Sequence, residues 1–180
     1  MKRLILAAAA LLIGAQAMAL ETPTEYKTPQ GWTVERSTTG VDNVARFVKG
    51  ARVLQVLEFG GSGSRFVAAK VFLDSFAARS YGVPAKVTAQ ATVAGASRKI
   101  YEHVYPIMLG DPHIPASGPP NEATERFCVV PAGGARFFVL SYAWESPIPD
   151  SRDEGDKAWA ALLKSFRLKT PASKTPPRGR

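Results

Sequence analysis

Three stretches of this chain predict an α+β fold, an antiparallel sheet of about six to seven strands sandwiched between helices. The first is a hairpin. Phe127-Cys128-Val129-Val130 and the run from Arg136 to Trp144 face each other across the turn Pro131-Ala132-Gly133-Gly134. Successive strand side chains point to opposite sides, so Phe138, Leu140, Tyr142 and Trp144 share one face and Phe137, Val139, Ser141 and Ala143 the other. Both faces are apolar, which places this strand centrally with cover above and below. The second stretch closes the chain: Ala158, Trp159, Leu162, Leu163 and Phe166 fall on one helical stripe. The third, from about Arg65 to Ser80, carries Phe66, Ala69, Leu73, Phe76 and Ala77 inward and Lys70, Asp74 and Arg79 outward. Each helix covers one side of the sheet.

The ends of the chain read differently from its middle. Lys2 and Arg3, the apolar run Leu4 to Ile13 and Ala17-Met18-Ala19 form the three parts of a bacterial export signal, with cleavage after Ala19. That run is shorter than the roughly 17 to 25 residues that a bilayer span requires. The organisation expected is a signal peptide over 1–19, a single α+β domain over 20–168 and a disordered, basic, Pro-rich tail over 169–180, in a periplasmic or secreted protein. Six of the 23 basic residues, Lys2, Arg3, Lys169, Lys174, Arg178 and Arg180, belong to those ends. The 17 that remain face 15 acidic residues, so the domain itself is near neutral. The high isoelectric point therefore gives no nucleic-acid-binding face, which needs basic residues gathered on one element. The tail's charge suits weak attraction to an anionic surface. Stable membrane insertion is not expected.

Between the ends, Pro29-Gln30-Gly31-Trp32-Thr33-Val34 is a turn entering a first strand, with Trp32 as a core anchor. Val44 to Val48 and Arg52 to Phe59 form a hairpin across Lys49-Gly50-Ala51. Gly60-Gly61-Ser62-Gly63-Ser64 follows, in the order strand, Gly-rich loop, helix that phosphate loops also use. It lacks the Gly-Lys-Ser/Thr end of a P-loop, the G-x-G-x-x-G pattern and the last Gly of a nucleophile elbow, so Ser62 or Ser64 reads as a helix cap. Lys86 to Ala94 and Arg98 to Ile107 make another hairpin, the first strand half-exposed, the second with Tyr101, His103 and Tyr105 on one face. Pro106 to Asn121 is the one long irregular segment, of the kind that is usually functional or disordered. Ser151 with Glu154 reads as a capping box, and Asp150, Asp153 and Asp156 place acid at the positive end of the last helix.

Chemistry-bearing residues are sparse. The lone Cys128 sits in an apolar strand, where a thiol behaves as a small hydrophobe. A Ser/His/Asp site would have to use one of two histidines, His103 mid-strand or His113 in the Pro-rich segment. Metal spacing such as H-E-x-x-H or paired cysteines does not occur, and Asp111 with His113 would supply two ligands at most, so neither a metal nor a cofactor is expected. Binding is the better reading. Tyr101, His103 and Tyr105, continued by Asp111, His113 and Ile114, form the candidate partner-binding region, with aromatic and apolar groups of the kind interfaces favour.

Pro29-Gln30-Gly31-Trp32, the two-sided hairpin Phe127 to Trp144 and the closing Trp159-Ala160-Ala161-Leu162-Leu163-Lys164-Ser165-Phe166-Arg167-Leu168 together resemble the PsbP-like family, the fold of the photosystem II extrinsic subunit P and of several bacterial envelope proteins. The resemblance lies at packing positions. It implies a sheet between helices and a non-enzymatic binding or assembly role, and transfers no ligand or catalytic residue. The function expected is that of an exported, non-catalytic envelope protein that binds a protein or cell-envelope partner. A periplasmic immunity or inhibitor protein and a small hydrolase centred on a histidine are the alternatives.

Overall fold

The computed structural model describes residues 24–35, 43–60, 63–79, 84–107, 121–146 and 152–169. Over these the elements run β1 (Thr24–Glu25), β2 (Thr33–Glu35), β3 (Asn43–Lys49), β4 (Arg52–Phe59), α1 (Ala69–Arg79), β5 (Lys86–Val93), β6 (Ala96–Ile107), β7 (Asn121–Pro131), β8 (Phe137–Ser146), α2 (Arg152–Ser165) and β9 (Arg167–Leu168). β1 pairs with β9, and the remaining strands form a seven-stranded antiparallel sheet in the order β2-β3-β4-β8-β7-β6-β5. The expected α+β architecture is present. The expected signal segment and nearly all of the tail lie outside the described residues.

β8 is central, as its two apolar faces require, and it pairs with β4 on one side and β7 on the other along almost its whole length. Phe138, Leu140, Tyr142 and Trp144 join Leu54, Val56, Cys128 and Val130 beneath Trp159, Leu162, Leu163 and Phe166 of the closing helical segment. Trp32 enters the same cluster from a turn in which its N–H bonds Pro29 O at 3.3 Å and Gly31 supplies the positive φ of 75° that a type II turn needs. Phe137 and Val139 point the other way and meet Phe59, Phe127, Phe66 and Phe72. Full burial of such side chains stabilises by roughly 1.5–3 kcal/mol each before chain entropy opposes it.

Charged clamps fasten the start of α2 to its face of the sheet. Glu154 pairs with Lys49 and, at 3.6 Å, with Arg52. Arg126 reaches both Glu102, at 2.8 Å, and Asp156, at 3.0 Å, with its guanidinium 4.9 Å from the centre of the Trp144 ring. Glu154 therefore serves a tertiary ion pair where a capping box was expected; Ser151 lies outside the described residues.

Several boundaries differ from the sequence reading. The helix α1 begins at Ala69, four residues later than Arg65, and Phe72, absent from the expected stripe, is buried, while the side chains of the expected Phe76 and Ala77 lie outside the description. Phe66 is buried in the irregular lead-in, its ring edge-on to Phe59 and to Phe72 at 5.2 Å each. Ser64 caps no helix: its hydroxyl accepts from Gly60 N–H at 3.0 Å and donates to Phe66 O at 3.2 Å, closing the loop on itself. The turn between β5 and β6 is only Ala94-Gly95, both at positive φ as a two-residue type I′ turn requires. Finally, β7 begins at Asn121, six residues before the expected Phe127, and Pro106 and Ile107, where the expected strand and irregular segment overlap, are strand. Asn121 pairs with Ile107 and Glu122 with both Pro106 and Ser146.

Candidate binding face

The sheet face under α1 divides along its length. Alternation and register place Tyr101, His103 and Tyr105 of β6, Phe127, Glu125 and Ala123 of β7, Ser141, Ala143 and Glu145 of β8, and Gln55 and Val53 of β4 on this side. At one end the phenylalanines meet α1. Tyr101 belongs there: its ring stacks on Phe127 at 5.1 Å and 9°, and Phe127 in turn meets Phe72 at 5.7 Å. Of the three expected contact residues on β6, Tyr101 is thus largely core.

Ser141 sits in the same row as Tyr101, opposite Phe127, and His103 follows in the next as a polar row with Glu125; Ser141 and His103 are exposed by only 1% and 3%. His103 stacks on Tyr105 at 5.4 Å and 17°. His103, Glu125 and Ser141 share this face but do not form a hydrolytic triad. Ser141 lies two strands from His103, about 10 Å across the sheet, and offset two residues along it. That exceeds what the two side chains span.

Beyond the polar row the face hollows into a pocket of about 240 Å³ lined by Ala51, Val53, Tyr105, Ala123, Ala143, Trp144 and Glu145. The floor is concave because Ala123 and Ala143, on neighbouring strands, stop at Cβ where Phe127 and Val139 fill the other end. Burial first, then the negative charges of Glu125 and Glu145, raise the Tyr105 phenol above its ordinary value, so it stays neutral and able to donate a hydrogen bond. An aromatic wall, a small-residue floor and carboxylates at the rim suit binding.

Asp111, His113 and Ile114 lie outside the described residues. The chain between Ile107 and Asn121 that carries them leaves and rejoins the sheet at the pocket's end of the face. Glu125, Ala123 and Ala143 were not singled out in the sequence, because the polar run Asn121 to Arg126 reads as loop and alanines carry no signal of their own. Cys128 is fully buried, and burial pushes its thiol up to about 12 against the opposing charge of Arg98, which leaves no thiolate at neutral pH. Among the described residues no three His, Cys, Asp or Glu side chains gather to hold a metal ion, and no helix is long and apolar enough to cross a membrane.

No family model and no curated protein matches the chain. Among solved structures it is similar to LpqN of Mycobacterium tuberculosis, described as involved in cell envelope biogenesis, at a TM-score of 0.47 and 16% identity over 82% of this chain and 83% of that one. Likeness at that level carries no statement about what this chain does.

Proposed function

We propose that this is an exported, non-catalytic protein of the cell envelope, of PsbP-like architecture, that binds a protein or envelope component at the pocketed end of the α1 face. The observation that carries the reading is the hollow between Tyr105 and Glu145, floored by Ala123 and Ala143. The proposed contact region also takes in Asp111, His113 and Ile114, which the sequence places between Ile107 and Asn121, the strand ends beside the pocket. The export signal read from residues 1–19 supports the envelope assignment.

The test is retention of a partner from envelope extract on the immobilised protein. Ala143→Trp fills the pocket and deletion of 111–119 removes Asp111, His113 and Ile114, whereas Val71→Ser alters an exposed position on α1. Loss of the retained species with the first two changes, with circular dichroism unchanged and Val71→Ser still binding, is the expected result. Equal retention by all folded variants would refute the proposed surface.

A further inference from the structure

The two edges of the sheet are built differently. β2 ends one edge with three residues, Thr33–Glu35, and Glu35 is paired with Arg46. Short, charged edges resist pairing with other chains. At the other edge β5 has eight residues, with a neighbour on one side alone. Residues 86–90 are all exposed, and the strand's one charge is at its first residue, Lys86.

The sequence of this edge is also symmetric. Val87-Thr88-Ala89-Gln90-Ala91-Thr92-Val93 reads the same in both directions. Antiparallel pairing of two copies about a two-fold axis through Gln90 sets Thr88 opposite Thr92, Ala89 opposite Ala91 and Gln90 opposite Gln90. Like charges directly across strands are unfavourable, and this edge places none. The nearest basic residue inward, Lys99, lies beside Gln90 on β6. Its copy would stand three strand spacings away, about 14 Å, beyond the Debye length of about 8 Å at physiological salt.

The side chain at the axis is already oriented. Ser97 Oγ donates to Gln90 Oε1 at 3.0 Å, leaving the amide N–H2 to donate to the opposing Gln90. The register shift between Val87 and Ala89 falls at Thr88, which has no partner on β6, and turns Val87 to the other face, so the regular run about the axis is Ala89 to Ala91. We infer that β5 is a self-association edge, through which two copies of this chain join their sheets antiparallel into one continuous sheet, away from the pocketed face. Two-fold edge pairing of this kind is isologous and closes at a dimer, since the opposite edge is short and charged.

Sedimentation velocity on the chain without residues 1–19, over a concentration series, is expected to show a monomer–dimer equilibrium. Gln90→Lys places like charges across the axis and is expected to move its midpoint about fivefold or more to higher concentration. Gln90→Cys sets two thiols opposite each other at Cα separations of about 4.5–5.5 Å, within disulfide range, so mild oxidation is expected to cross-link it rapidly. Thr88→Cys faces Thr92 and is expected to cross-link far more slowly, and buried Cys128 does not compete. A wild-type chain that stays monomeric throughout, or Thr88→Cys cross-linking as fast as Gln90→Cys, would overturn the inference.

Discussion

Gly155 is a helical glycine whose missing side chain has a partner. A Cβ there would fall 1.9 Å from Tyr142 Oη and 2.7 Å from its Cζ. Tyr142 cannot yield, since it is fully buried with Trp144 at 4.8 Å on one side and Trp159 at 6.4 Å on another. Alanine normally favours a helix interior over glycine by about 1 kcal/mol, whereas forcing atoms into a packed core costs about 1–3 kcal/mol. With a contact this short the second effect wins. Gly155→Ala is expected to lower stability by roughly 1–2 kcal/mol in urea titration, and Tyr142→Phe in the same chain to restore part of it by removing Oη. A neutral or stabilising Gly155→Ala would contradict the close seating of α2. Gly60 is constrained more rigidly: at φ 95° its Cβ would meet Ala135 O at 2.3 Å, and backbone does not move aside. Neither glycine announces its role in the sequence, because the atoms that exclude a side chain come from other elements, the β7–β8 turn for Gly60 and β8 for Gly155.

At the level of elements, the two helices are held by different physics. α1 docks through Phe72, Ala69 and Leu73, and its exposed side carries Lys70 paired with Asp74 at 2.6 Å, a surface pair of small energetic consequence. α2 adds charge at its first turns. The carboxyl of Glu154 is held below its ordinary value, first by the hydrogen bond from Lys49 and then, against the opposing effect of desolvation, by the charges of Lys49 and Arg52. A folded-state value below the unfolded one stabilises above the unfolded carboxylate value, about pH 4.3, and the gain is lost as pH falls through the folded one. Glu154→Gln is therefore expected to denature earlier than wild type at neutral pH, with the gap closing on acidification; a gap that holds or widens in acid would show that the pairing does not stabilise.

These same elements show what was legible. The two faces of β8 and the stripe of α2 could be read because large apolar residues repeat at the strand and helix periods. The start of α1 could not, because Phe66 continues the helical spacing while packing from an irregular segment onto Phe59. The first half of β7 was hidden for the opposite reason. Glu122, Glu125 and Arg126 look like loop, yet strands on both sides fix them in the sheet, and Arg126 is occupied by Glu102 and Asp156.

For the whole molecule, the described residues close the seven-stranded sheet with α2 on one face and with α1 over part of the other, and the pocket lies on the part that α1 does not cover. The candidate site was half visible: Tyr105 and His103 could be named from their strand, but the small residues that make the hollow gain meaning only from their neighbours on β4, β7 and β8. The measurement that tests this division most directly is native-state thiol labelling at two positions on one face of β8. Val139 is 1% exposed and lies in the α1 cluster, whereas Ala143, four residues on, is half-buried and lines the pocket. Ala143→Cys is expected to react under native conditions, while Val139→Cys and the native Cys128 react only as fast as the chain unfolds. Rapid labelling of Val139→Cys, or protection of Ala143→Cys as complete as that of Cys128, would contradict a face that is covered at one end and open at the other.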